Sequence, residues 1–189
     1  MLKKLSVIAG VFLLAISGVS ASENKSLTED QAKRFVASLE SIEALGAELE
    51  KEGKIEQLNI DRVPKAGETF KPYSRVVVAL KEQHPADFTR LKKTVKPYGF
   101  SADGWGAVGD RVMVAYMAVK MQEEDPRAMA MMEGMDRSML DMMPPEMRGQ
   151  MERTFVMMET VKNAPEADKK AVAAVKDELD AYMDKDAGS

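Results

Sequence analysis

From Leu27 onward, apolar residues recur at steps of three and four, and no segment alternates at period two. That spacing lines one face of a helix with apolar side chains, so the chain is predicted to be all-α. Phe35, Leu39, Ile42, Leu45 and Leu49 form the first inward stripe. Thr28 and Gln31 stand ahead of it in capping-box positions, and Gly53 follows as a C-terminal stop. Residues 54–71 hold Pro64, Gly67 and short apolar fragments, and read as a long irregular connection. Pro72 and Pro85 suit the first turn of a helix and predict helices over 72–83 and 85–96, with a solvated His84 in the turn between.

Tyr98-Gly99-Phe100-Ser101 closes one helix and opens the next: Gly99 can adopt the left-handed terminal conformation, and Ser101 can cap. Phe100 and Trp105 are spaced as a hydrophobic staple. The following helix, over 102–124, is apolar around most of its girth between Val112 and Val119, which marks it as the central, buried one. Asp125-Pro126, Pro144-Pro145 and Ala164-Pro165 each start a further helix, and Val172, Val175, Leu179 and Tyr182 form the last inward stripe. The expectation is a single-domain helical bundle of six or seven helices with short, proline-marked turns.

The chain begins differently. Lys3 and Lys4 precede an apolar run from Leu5 to Ile16, and Val19-Ser20-Ala21 offers small residues for cleavage after Ala21. This is the pattern of a secretory signal peptide, and the run is shorter than the roughly 20 residues a membrane span needs. Residues 1–21 are therefore read as a signal peptide and 22–189 as the all-α domain, periplasmic or secreted, with no stable membrane insertion after cleavage. Losing Lys3 and Lys4 would move the formal charge from −4 to −6, an acidic balance that argues against nucleic acid as a partner. There is no cysteine, so neither a disulfide nor a lipidated N-terminal thiol can help hold the protein.

Methionine changes the picture most. Of the chain's 16, all but Met1 and Met183 lie between Met113 and Met158. Met132, Met135, Met139 and Met142 follow helical steps, as do Met147, Met151, Met158 and nearby Phe155, so a hairpin over about 126–163 would set two stripes face to face. Three explanations compete. The stripes can pack as a flexible core, since Met fills irregular gaps. They can form an adaptable contact surface, with Met132, Met135, Met147, Met151 and Met158 meeting envelope proteins or unfolded clients. Met129, Met131, Met143 and Met157 fall off the two stripes and favour that second explanation. Third, Met129, Met131, Met139, Met142 and Met143 could hold copper or silver as Cu(I) or Ag(I), because soft thioethers suit soft ions; no histidine or cysteine stands among them to strengthen such a site. The same seam would also allow a homodimer. Reversible oxidation to sulfoxide is a further chemistry open to these residues.

Other motifs carry less. Gly104-Trp105-Gly106-Ala107-Val108-Gly109 matches G-x-G-x-x-G, but a dinucleotide fingerprint needs a strand before it and a βαβ unit around it. Gly106 and Gly109 on one helix face, admitting a close neighbour, is the simpler account. His84 is the sole histidine, and Glu123-Glu124-Asp125 lacks both the separation of acid–base pairs and the ligand loop of a calcium site. No nucleophile–base or metal constellation can be assembled, so the expectation is a non-enzyme with no cofactor.

Tyr98-Gly99-Phe100-Ser101 through Trp105, Val108-Gly109-Asp110-Arg111-Val112-Met113, Ala115-Tyr116-Met117 and Lys120 resemble a motif of short exported all-α bacterial proteins of no assigned function. The opening Leu27-Thr28, Gln31, Phe35, Ser38-Leu39 and Leu45-Gly46 is similar to theirs as well. The resemblance implies export and a helical fold, and it brings no catalytic or binding residues. Together these features predict an exported helical protein with a protein-interaction or chaperone-like role through its Met-rich hairpin, with Cu(I) or Ag(I) handling as the alternative.

Overall fold

A computed structural model of the protein describes residues 26–58, 60, 68–124, 127 and 144–187. Helix α1 (Glu29–Lys51) starts from the expected capping box: the Thr28 hydroxyl accepts from the Gln31 amide at 3.1 Å, and the Gln31 side chain accepts from the Thr28 amide at 3.0 Å. Two of the four orphan amides at this terminus are thereby satisfied. Phe35, Leu39, Leu45 and Leu49 are buried along its inner face, with Ile42 packed beside them. Gly53, at φ +68°, stops the helix.

Helix α2 (Lys54–Gln57) then occupies part of the segment expected to be irregular. Leu58 after it is buried and Ile60 packs on the core, so two short apolar residues fasten this connection to the body. Helices α3 (Pro72–Gln83) and α4 (Pro85–Val95) have the predicted limits to within a residue, each with proline in its first turn. A 3-10 turn, Lys96–Tyr98, ends at Gly99 with φ +76°. Ser101 caps the next helix by accepting from the Gly104 amide at 3.0 Å.

That helix, α5 (Ala102–Glu124), is the axis of the molecule and packs against α1, α3, α4, α6 (Pro145–Lys162) and α7 (Glu166–Ala173). Its Trp105 stacks on Phe35 and meets Tyr73 edge-on, with all three centroid separations in the trio 5.5 Å. The indole N–H donates to the Ser38 hydroxyl at 2.9 Å, and that hydroxyl donates to the Phe35 carbonyl at 2.6 Å, so the buried polar atoms inside this cluster are paired.

The chain ends in α7 and α8 (Lys176–Ala187). One helix was expected here; Val175 N–H bonds back to the Val172 carbonyl at 2.9 Å, a tight three-residue closure that divides it. Val172, Val175 and Leu179 nevertheless remain buried, so the inward stripe runs through the break. With α2 and this division, the described residues form eight α-helices rather than six or seven, and contain no strand. The fold is an all-α helical bundle.

Two apolar clusters sit in it. The larger unites α1, α3, α4, α5, α7 and α8; the smaller joins Val114 and Ala118 of α5 to Val161 and Ala164, with Phe70, Met117 and Met121 alongside. Helix α6 is therefore held to α5 by a patch of its own.

Candidate functional site

Pro145 occupies the first turn of α6 after the extended Pro144, whose φ of −56° and ψ of 143° suit the residue before a proline. Phe155, Val156 and Val161 are buried on this helix. Its thioethers are not. Met147 is 56% exposed and Met157 37%, while Met151 and Met158 are half-buried. At 3.6 residues per turn, Met147, Met151 and Met158 lie within about 40° of one another around the axis, a single strip open to solvent at its N-terminal end. A fully buried methionine seam is thus not what α6 forms: its carbon side chains take the inside and its most accessible sulfurs face water.

The other predicted contact residues, Met132 and Met135, lie outside the described residues. So do Met129, Met131, Met139, Met142 and Met143, the candidate ligands for a soft metal. Met113, Met117 and Met121 on α5 are half-buried, Met113 beside the large cluster and the other two beside the small one. The exposed large hydrophobics among the described residues are Val78 on α3 and the two α6 methionines.

The remaining candidates become structural pieces. A Cβ on Gly109 would fall 2.7 Å from the Phe35 ring and 2.8 Å from that of Tyr73, and one on Gly106 would fall 3.0 Å from Val77. Those two glycines are what lets α3 and Phe35 close on α5. His84 joins α3 to α4 and is half-buried rather than solvated, its Nδ1 3.9 Å from Asp87. Asp87 is buried and accepts from Lys54 at 3.0 Å and Arg90 at 3.1 Å. Burial pushes its carboxyl upward, but those two cations prevail and hold it below the usual range. Glu123 meets Lys176 at 3.3 Å. Among the described residues, no three His, Asp or Glu side chains are grouped to hold a metal. The crevice beside Tyr73, Met113 and Tyr182 offers about 10 Å³, room for about one water.

Comparison with protein-family models, characterised proteins and solved structures finds no match.

Three paired carboxylates, the buried Asp110 and Asp168 and the half-buried Asp180, escaped the sequence reading. Asp110 accepts from the Tyr73 and Ser74 amides at 2.7 and 3.2 Å, capping α3 from another helix, and burial raises its carboxyl in spite of those bonds. Asp168 receives two 2.8 Å bonds from Arg111 and a third from the Leu27 amide. Tyr116 donates to Asp180 at 2.6 Å. The signal that could have found the first two was present: Asp110 and Arg111 interrupt the most apolar helix, where a charge survives only if paired.

Proposed function

We propose that this is an exported, non-enzymatic helical protein that holds unfolded or partly folded envelope proteins against the methionine face of α6. The observation that carries the proposal is the exposure of Met147 and Met157 on a helix whose Phe155, Val156 and Val161 are buried. Met147 heads the strip it shares with the half-buried Met151 and Met158, and a helix that turns such an apolar strip toward solvent presents a contact surface. Unbranched thioethers also suit varied partners, because they re-pack at low cost against any apolar surface.

The acidic balance fits such a role, since like charge keeps copies of the protein apart while the apolar strip stays available. The leader-like pattern of residues 1–21 supports work outside the cytoplasm, in the periplasm or the medium. No helix of the described residues is long and apolar enough to cross a membrane.

The test is suppression of aggregation of a reduced, unfolding client, compared between the wild type and a Met147→Glu/Met157→Glu variant. Suppression that is lost in the variant, with its helical spectrum intact, supports the surface. Equal suppression by both proteins, or none by either, removes it. A titration with Cu(I) against a competing chelator runs beside it: tight stoichiometric binding, lost on Met139→Leu with Met142→Leu and Met143→Leu, would move the assignment to soft-metal handling.

A further inference from the structure

We propose that Met147 and Met157 are reversible oxidation sites for hydroperoxide-type two-electron oxidants, and that oxidation turns the exposed apolar positions of α6 polar without undocking the helix. Three observations carry this. Every sulfur in the chain is a thioether, so oxidant chemistry at sulfur falls on methionine alone. Among the described methionines, Met147 and Met157 are the most open to a small solute, whereas Met113, Met117 and Met121 lean on the apolar clusters. Among the described side chains of α6, the buried ones are Phe155, Val156 and Val161, none of which contains sulfur. These buried side chains are thus inert to the oxidant, and Met117 and Met121 beside them are less open to it than the two exposed sulfurs.

The step balances simply. A sulfur lone pair attacks one oxygen of hydrogen peroxide, the S–O bond forms as the O–O bond breaks, and the departing hydroxide takes the proton of the transferred oxygen and leaves as water. Sulfur loses two electrons and the peroxide gains them. The product sulfoxide is polar, and at exposed positions it is solvated rather than buried, so the fold bears no desolvation cost. A thiol-dependent methionine sulfoxide reductase reverses the change, with a dithiol as electron source.

The site itself stands on geometry alone; only its consequence, release of a held client, rests on the contact-surface proposal. The experiment treats the folded protein with hydrogen peroxide and maps sulfoxide formation by mass spectrometry against time, with the helical spectrum and hydrophobic-dye binding followed together. Expected are Met147 and Met157 oxidising several-fold faster than Met113, Met117 and Met121, dye binding falling with the spectrum unchanged, and both recovery of dye binding and loss of sulfoxide after reductase with dithiothreitol. A Met147→Leu/Met157→Leu variant should keep the fold and the dye binding while losing the response to peroxide. Equal rates at all these methionines, or unfolding in step with oxidation of the first two, would overturn the site. Client suppression that survives full oxidation of Met147 and Met157 would overturn the switch yet leave the surface standing. Selective, reversible oxidation in a protein that suppresses no aggregation would support the site and remove only the client role.

Discussion

Arg111 holds Asp168 with two parallel bonds of 2.8 Å, Nε to one carboxylate oxygen and Nη2 to the other, and the Leu27 amide reaches the same group at 2.8 Å. One buried carboxylate therefore ties α5, α7 and the residue just ahead of the α1 cap together. Removing it takes two bonds from a partly buried guanidinium and the acceptor from a buried amide at once. Asp168→Ala should cost about 3 kcal/mol, toward the low end for a broken buried pair because Arg111 keeps some contact with water. Thermal unfolding would show it as a fall of roughly 6–12 °C for a domain of this size. Adding Arg111→Met should recover part of the loss, since the partly buried charge that has lost its carboxylate is then gone.

Glycine substitutions on two helices should act in opposite directions. At Gly109 a Cβ meets the Phe35 and Tyr73 rings below 3 Å, and those rings are themselves wedged against Trp105. Gly109→Ala should destabilise by about 1–3 kcal/mol, since overpacking outweighs the gain in helix propensity. Gly46, in the middle of α1, has nothing within 4 Å of its would-be Cβ. Gly46→Ala should stabilise by about 0.5–1 kcal/mol. Urea denaturation of both variants measures the contrast.

Ser38 is the acceptor for the Trp105 indole. Ser38→Ala leaves that buried N–H without its partner and should cost about 1–3 kcal/mol. Trp105 is the sole tryptophan, so its own emission reports the event: the native-state spectrum should shift even before unfolding, and the urea midpoint should fall.

The two ends of the pH scale probe a single hydrogen bond. Tyr116 donates to Asp180, with Lys120 and Lys176 on the same carboxylate. Burial, helped by Asp180, pushes the phenol from 10.0 up to about 12. The hydrogen bonds from Lys176 and Tyr116 lead in pulling Asp180 from 3.8 down to about 2. The phenol is thus kept protonated by folding, and its contribution is complete below pH 10 and lost as pH rises toward 12. The carboxylate is kept ionised by folding, and its contribution is complete above pH 3.8 and lost as pH falls toward 2. Tyr116→Phe should flatten the alkaline flank of the stability–pH curve and leave most of the acid flank, where Lys176 still acts. Loss of neither flank in the variant would exclude this pair as their source.

Much of this architecture was legible because local rules and burial agreed. Thr28 with Gln31, the prolines at 72 and 85, Gly99 and Ser101 fix helix limits by chemistry confined to one turn, and each stands where that chemistry put it. The glycines of the G-x-G-x-x-G segment were legible for the same reason, as a face that admits a neighbour. Asp168 and Asp110 were not, because their partners are 57 and 37 residues away, respectively, and no local pattern announces a long-range pair. Helix α2 and the division at Val175 were missed because each is a single turn set by tertiary packing, below the length at which periodicity can be read. Met147 marks the limit on the functional side. Its spacing matched a buried stripe, yet periodicity shows only that residues share a face, not which way the face turns.

That orientation gives the last prediction, which separates surface from core on one helix. Met147 and Met157 are exposed, so Met147→Glu and Met157→Glu should each change stability by no more than about 0.5 kcal/mol. Phe155, buried eight residues beyond Met147, should cost about 3–5 kcal/mol when cut to alanine. Dye binding and client suppression should rank the other way: lowest in the two charged methionine variants, and higher in Phe155→Ala, which keeps both exposed methionines. Stability loss in Met147→Glu comparable to that in Phe155→Ala would place Met147 in the core and remove the contact surface from α6.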